Sequence, residues 1–461
     1  EKYVSWLDIY DSDLGESKLH NYLAETNRIP QSQHSKFDKD IIAVSERFEI
    51  FTNTQNLLSL RVFPDRQSKR WFSPSELMVL YMQNVLNEEQ KKLFEVQYSI
   101  INMFAFGVLE GVVTNSWKNA NIALKAIESY QESNGGSDYL SQSQVEWEII
   151  LNHYNIFEKL IFPYMILGLL GFIVVLVFIV RDKALPKWLY YGIFGVLGVC
   201  VLAHSFGLAL RWYVAGHAPW SDAYESMLYI AWASGVAGVV FFKRYILALC
   251  AASFLSGISL FVAHAGFMNP QITNLVPVLK SYWLNIHVSV ITAGYGFLGL
   301  CFMLGVFSLI LFLLRENDKH NIDKAIFSVG AINEMSMILG ILFLTIGNFL
   351  GAVWANESWG RYWGWDPKET WALISIVVYG IVLHLRFMGF VNMPFVFASA
   401  SVLAFYSILM TYFGVNYFLS GKHSYASGDP IVLEWYVYVF VVFTLALIVA
   451  ACQKRGLKSA Y

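Results

Sequence analysis

From Trp354 to Trp371 the chain reads WANESWGRYWGWDPKETW, five tryptophans and a tyrosine in 18 residues. Indole joins an apolar ring to an N–H that needs an acceptor, so tryptophan gathers at membrane–water interfaces. An interfacial belt uses one or two such rings per helix end. Five of them, interleaved with Glu357, Arg361, Asp366, Lys368 and Glu369, suit a floor for a large, flat, aromatic ligand with anionic edges. The stretch also holds a helix start, with Asp366 as N-cap, Pro367 at the first helical position and Glu369 closing a capping box. The helix so begun carries His384, 13 residues past Trp371. At 1.5 Å per residue that is roughly 20 Å further on, most of a bilayer's depth.

Composition dictates what must hold these residues. With 56% hydrophobic and 14% charged residues among 461, and a mean hydropathy of +0.47, the chain reads as an integral membrane protein. A net charge of −2 with no long basic run excludes a nucleic-acid partner. Nine apolar stretches of spanning length lie near residues 161–180, 187–210, 222–242, 245–265, 283–314, 331–353, 371–388, 393–418 and 432–452. Lipid offers no partner to a free backbone group, so each is helical. The predicted fold is all-α: a polytopic membrane helix bundle of about nine spans over residues 159–461, preceded by a mostly α-helical domain over residues 1–158. In that domain Ser73-Pro74-Ser75-Glu76 and Ser141-Gln142-Ser143-Gln144 read as helix starts. Asn134 to Asp138 reads as a flexible break, after which a helix runs into the first span, and the stretch before Phe37 reads as loose. His20, His34 and His153 are isolated and read as surface residues, which leaves docking of a partner as the domain's role.

Lysine and arginine concentrate on one set of connections, at Arg181 to Lys187, Lys243-Arg244, Arg315 to Lys324, Arg386 and Lys454 to Lys458. The other set holds only Arg211, Lys280, Arg361, Lys368 and Lys422. The positive-inside rule makes the first set cytoplasmic. The tryptophan segment 354–371, the loop RWYVAGHAPWSD, the loop around His423 and the amino-terminal domain then face outward. A domain of that size does not export itself, and Glu1 is not a start methionine, so an upstream membrane segment is expected. Cys200, Cys250, Cys301 and Cys452 stand singly in apolar helices without C-x-x-C spacing, which indicates packing residues and neither a disulfide frame nor a thiolate metal site.

Histidine supplies the remaining chemistry. His287 lies one turn inside Trp283 at the outer end of the fifth span, and His423 in the outward loop after the eighth, so the two flank the tryptophan segment. Histidine pairs from separate helices facing a flat cavity hold haem iron, whereas zinc wants a third or fourth ligand. The plainer alternative is a satisfied hydrogen-bonding residue inside the bundle. His384, near the opposite end of its span, cannot reach the same iron. His204, His264 and His217 read as structural or substrate-contacting. Gly294, Gly296 and Gly299 suit either close approach of a planar ligand or close helix packing.

The run Trp359-Gly360-Arg361-Tyr362-Trp363-Gly364-Trp365-Asp366-Pro367-Lys368-Glu369-Thr370-Trp371 resembles the WWD signature of haem-handling membrane proteins in cytochrome c biogenesis. Gly216-His217-Ala218-Pro219-Trp220 followed by Tyr224-Glu225, with histidines on both sides of the signature, looks like the CcsA part of the System II cytochrome c synthase over about residues 160–455. The resemblance implies a multi-pass protein of a bacterial-type inner (plasma) membrane, surrounded by lipid, with its active face extracytoplasmic. It implies haem b, with His287 and His423 as outward axial ligands. His384 would be one of two transmembrane histidines for haem entering from the cytoplasm, the second coming from an upstream CcsB part. The ring would be clamped by Trp354, Trp359, Trp363, Trp365 and Trp371, with Arg361 or Lys368 on the propionates and Asp366 beside them. The implied activity is covalent attachment of haem to the C-x-x-C-H motif of apocytochrome c, with no nucleophile from the chain itself. A haem exporter or chaperone that forms no bond, and a quinone-linked haem redox subunit, are the rival readings.

Overall fold

The computed structural model describes residues 5–12, 16–28, 35–66, 70–136, 139–241, 245–265, 268–273, 275, 277–316, 320–389, 393–419, 421 and 435–456. His34, His423, and Ser137 and Asp138 of the expected break lie outside them. The chain divides into two compact units, Glu1–Gln142 and Ser143–Tyr461.

The first unit runs α1 (Trp6–Ile9), β1 (Tyr10–Asp11), β2 (Glu16–Ser17), α2 (His20–Thr26), α3 (Lys36–Gln55), β3 (Phe63–Asp65), β4 (Arg70–Phe72), α4 (Pro74–Met82), α5 (Glu88–Thr114) and α6 (Lys118–Asn134). Two small antiparallel hairpins, β1–β2 and β3–β4, interrupt the helices. The stretch before Phe37, expected to be loose, instead carries α1, the first hairpin and α2. Trp6 anchors it by stacking on Tyr10 and Phe48 at centroid distances of 4.5 and 5.7 Å. Ser73 caps α4 as its spacing predicts, accepting from the Glu76 N–H at 3.1 Å while Glu76 accepts from the Ser73 N–H at 2.9 Å. The core gathers Phe63, Leu77, Phe94 and Tyr130, and buried Gln97 donates to the Tyr130 hydroxyl at 2.6 Å. Burial raises the Tyr130 phenol above its usual range, against the lowering effect of that bond.

In the second unit, α7 (Gln142–Tyr154) meets α8 (Ile156–Val180) at Asn155, whose φ of +42° breaks the helix expected to run straight into the first span. There follow α9 (Lys187–Ala215), α10 (Ala223–Phe241), α11 (Ile246–His264), α12 (Tyr282–Leu313), α13 (His320–Trp359), α14 (Pro367–His384), α15 (Met393–Leu409), a π-turn (Met410–Gly414), α16 (Val415–Phe418) and α17 (Trp435–Cys452). All nine expected spans fall on helices long and apolar enough to cross a membrane. Among the described residues a tenth such helix is α5, 27 residues of mean hydropathy 1.4, in the first unit. The protein is an all-helical, multi-pass membrane protein.

Lipid-facing and central helices separate by burial. Some 72–78% of the apolar windows of α10, α11 and α12 is buried, against 17–39% in α9, α14 and α17. Association inside lipid rests on close packing and interhelical hydrogen bonds, because tails are as apolar as leucine. The Ser253 hydroxyl donates to the Tyr164 carbonyl at 2.8 Å, Ser256 to Ala231 at 2.7 Å and Ser336 to Phe297 at 3.0 Å, tying α11 to α8 and α10, and α13 to α12. A Cβ on Gly168 would meet the Phe254 Cα at 2.7 Å, and one on Gly257 the Met165 N at 2.8 Å, so α8 and α11 touch backbone to backbone. Gly294 and Gly296 likewise bring α12 against the backbone of α13 and α10, and Gly299 faces the Leu255 side chain of α11, which is the helix-packing reading. Of the four glycines of α9, Gly192, Gly195 and Gly198 face open space, whereas Gly207 faces the Phe157 ring.

These contacts set a contrast. Gly168→Val and Gly257→Val are each expected to destabilise the purified protein by about 1–3 kcal/mol through overpacking, whereas Gly192→Val and Gly195→Val are expected to be neutral. Thermal unfolding in detergent, followed by tryptophan fluorescence, checks it; equal shifts in both pairs would refute the α8–α11 seam.

Candidate functional site

At the end of the bundle where α10, α12 and α14 begin and α13 finishes, a cavity of about 480 Å³ opens. That lies within the range of small-molecule and cofactor sites, about 300–1,000 Å³. His287, in the second turn of α12, stands on its wall. The His287 Nδ1 lies 2.6 Å from the Gly347 carbonyl oxygen of α13. A carbonyl only accepts, so Nδ1 carries the proton and Nε2 is the nitrogen with the lone pair, the tautomer a metal ligand needs. One turn on, a Cβ at Gly351 would sit 2.6 Å from the imidazole Cε1. Gly347 and Gly351 form a small-x-x-x-small pair that lets α13 reach the ring. The sequence reading passed over this pair, and its GxxxG spacing was the available signal.

The tryptophan segment is not one floor. α13 continues through Trp354 and stops at Trp359, where Gly360 takes the left-handed conformation, φ +70°, of a helix terminator. Trp354 is buried and meets Trp359 edge-on at 4.8 Å. Asp366 caps α14 as expected, its Oδ1 accepting from the Lys368 N–H at 3.0 Å, and the Glu369 Oε2 accepts from both Gly364 and Asp366 N–H groups at 2.8 and 3.2 Å. Those two N–H groups flank Trp365, which is held at φ +55° and is 71% exposed. Trp354, Tyr362, Trp363 and Lys368 reach the cavity wall; Trp359, Arg361, Trp365, Asp366 and Trp371 are not part of it. The Lys368 ammonium donates to the Asn416 Oδ1 at 3.0 Å.

The remaining histidines separate by their partners. His264 Nδ1 faces the Leu260 carbonyl at 2.8 Å and its Nε2 the Tyr224 hydroxyl at 3.1 Å, so both nitrogens are engaged. His217 faces the carbonyls of Ala218 and Thr273, each at 3.3 Å. His204 is fully buried beside Tyr164. His384 ends α14, exposed, with Nδ1 2.7 Å from the Gly380 carbonyl. Sixteen residues separate it from Lys368 on the same helix, roughly 24 Å at 1.5 Å per residue, so it belongs to the other end of the bundle. His423 lies outside the described residues. Two residues before it, Gly421 packs against the α14 cap, where a Cβ would meet the Asp366 Oδ2 at 2.6 Å.

A polar assembly unread in the sequence borders the cavity. Arg211 and Glu225 form an ion pair, Nε to Oε1 at 2.9 Å, with side chains 5% and 0% exposed. Arg211 also donates to the Pro270 carbonyl at 3.0 Å, and the Ser221 N–H to the Glu225 Oε2 at 3.0 Å. Asp222 caps α10 through a 2.7 Å bond from the Glu225 N–H. Burial, reinforced by Glu225, pushes the Asp222 carboxyl up to about 6. Trp220 donates to the Asn285 carbonyl at 3.0 Å, on the turn preceding His287. In the π-turn, Tyr412 bonds the Ser226 hydroxyl at 2.6 Å and the Ala223 carbonyl at 3.0 Å, joining the far side of the cavity to α10.

The family described as cytochrome C assembly protein matches residues 220–423, from Trp220 on the cavity wall to His423. Protein NrfI of Wolinella succinogenes is 41% identical over 420 residues, which cover 90% of this chain and 45% of NrfI, so the chain spans about half of that relative's length. The cytochrome c biogenesis protein CcsA of Chlamydomonas reinhardtii is 36% identical over 267 residues, 56% of this chain and 72% of that one. CcsA of Lobularia maritima is 34% identical over 288 residues, 51% and 83% respectively. A solved structure of the cytochrome c heme lyase CcmF superposes with a TM-score of 0.43 at 15% identity, covering 65% of this chain and 50% of CcmF, too slight a likeness to transfer detail. With a histidine on a cavity beside the tryptophan-rich turn, and CcsA proteins matched over most of their length, the chain belongs to the CcsA-type cytochrome c assembly family.

Proposed function

We propose that the cavity receives haem b, with His287 and His423 as its axial ligands, and that the protein attaches this haem to the C-x-x-C-H motif of an apocytochrome c. The observation that carries the reading is the clamped imidazole: a histidine on a cavity wall, its proton fixed on Nδ1 by the Gly347 carbonyl, beside Trp354 and Trp363. Of the two axial nitrogens in this reading, His287 stands on the cavity wall, which supports it, and His423 lies outside the described residues. Among the described residues no three histidine, cysteine or carboxylate side chains converge as a zinc site requires, whereas haem iron needs only two axial nitrogens. Three helices, α10, α12 and α14, begin at the cavity and turn the positive ends of their dipoles toward it. Lys368 adds a charge there, in keeping with propionate binding.

In this reading haem is the substrate and the chain contributes orientation. Bis-histidine ligation fixes the iron, the indoles restrain the ring, and the incoming peptide's histidine replaces one ligand as its two thiols add to the vinyl groups. The cavity end faces away from the cytoplasm, as does the amino-terminal unit, in a bacterial-type inner membrane. Haem arrives from the cytoplasmic end through His384 and a histidine of an upstream CcsB part.

The test is co-expression of the chain, with that upstream segment, and an apocytochrome c. A covalent haem-stained cytochrome is expected; bound and released haem without thioether product would replace the synthase with an exporter. His287→Ala or His423→Ala is expected to weaken the low-spin, six-coordinate spectrum and to regain it with imidazole. Unchanged spectra in both variants would move the ligands elsewhere. Gly351→Ala is expected to mimic His287→Ala, because its methyl occupies the space of the ring; a normal spectrum in a well-folded Gly351→Ala protein would refute the clamp. For the inner site, His384→Gly is expected to lower haem content only when the upstream segment is present, measured as pyridine haemochrome per protein.

A further inference from the structure

The cavity wall carries three charged side chains, Asp222, Lys368 and Glu369. Glu369 already holds two backbone N–H groups, and the Lys368 ammonium is engaged with the Asn416 Oδ1. Asp222 differs from both. Its Oδ1 accepts from the Glu225 N–H at 2.7 Å, while Oδ2 makes no hydrogen bond among the described residues. Behind it the Glu225 carboxylate pairs with Arg211 and accepts from the Ser221 N–H, and its charge favours protonation of its neighbour.

From this placement, and resting on the synthase reading above, we infer that Asp222 is the catalytic acid–base of thioether formation, shuttling the proton from the peptide thiol to the vinyl group. As sulfur bonds to the inner vinyl carbon, the thiol proton passes to the Asp222 carboxylate. The electron pair of the C=C bond moves to the terminal carbon, which takes the proton back from Asp222. The sum is addition of S–H across C=C, with no oxidant or reductant consumed and the carboxylate regenerated. A carboxyl lifted toward neutrality serves both halves, since an acid–base works best with a pKa near the operating pH. The groups acting on it are Glu225, which raises it, and Arg211 of α9 and His217 of the preceding loop, which lower it. Lys368 shares the cavity from α14.

Because Asp222 also caps α10, the test separates the two roles. Asparagine caps a helix as well as aspartate does, so Asp222→Asn keeps the fold and removes only the titrating group. With the full chain, the upstream segment and apocytochrome c co-expressed, Asp222→Asn is expected to bind haem with the wild-type spectrum and content. Its thioether formation per bound haem is expected to fall by about 100-fold or more. In the wild type the rate should decline below about pH 6, and that limb should be absent in Asp222→Asn. Asp222→Glu should recover part of the rate. Wild-type turnover in Asp222→Asn, or a loss of product that tracks a loss of haem, would overturn the assignment. A wild-type protein that binds haem yet yields no thioether would overturn the synthase reading and this assignment together, and it shows before any variant is made.

Discussion

The site depends on how closely α13 can approach α12. A hydrogen bond of 2.6 Å from an imidazole to a backbone carbonyl requires that no side chain stand between the two helices at that level. Gly347 and Gly351 meet this condition, since a Cβ on either would fall within 3 Å of α12 atoms, Ile291 in one case and His287 in the other. Without that approach the ring has no fixed tautomer, and a ligand nitrogen whose proton wanders is a poor one. The rest of the unit serves this contact: serines tie the central helices, and the caps of α10 and α14 fix the ends of the helices that complete the wall.

Hydropathy made the membrane bundle legible, because a lipid environment leaves a long apolar run no choice but helix. The caps of α4 and α14 were legible for a related reason, being local bonds written within four residues. The tryptophan segment was readable as a site but not as a shape. Trp354 to Trp359 extends α13, since Ala355 and Glu357 favour helix and only Gly360 ends it, while the pinch around Trp365 depends on a carboxylate four residues later. The glycines singled out after His287 proved to be packing contacts, and the pair that clamps the histidine sits about 60 residues further along on another helix. The GxxxG spacing of that pair marks a close approach, but local spacing does not say which helix is approached.

The Arg211–Glu225 pair was similarly hidden. Two opposite charges 14 residues apart in an interfacial stretch read as solvated, yet both are buried. A buried pair contributes little net stability, but removing one partner leaves an uncompensated charge at a cost of about 3–5 kcal/mol. Its effect here is geometric: it fixes the loop that carries Trp220 and Asp222 relative to Pro270 on the neighbouring α11–α12 connection.

The π-turn at Met410–Gly414 has a consequence of a different kind. One wide turn takes up an additional residue, so the helix after it is rotated by about 100° relative to an uninterrupted α-helix of 3.6 residues per turn. Tyr412 within the turn and Asn416 beyond it both reach the cavity. The cavity's far wall is therefore encoded as a count of residues as much as by their identity. A chain one residue shorter here would keep every side chain named above and still present a different face to the ligand.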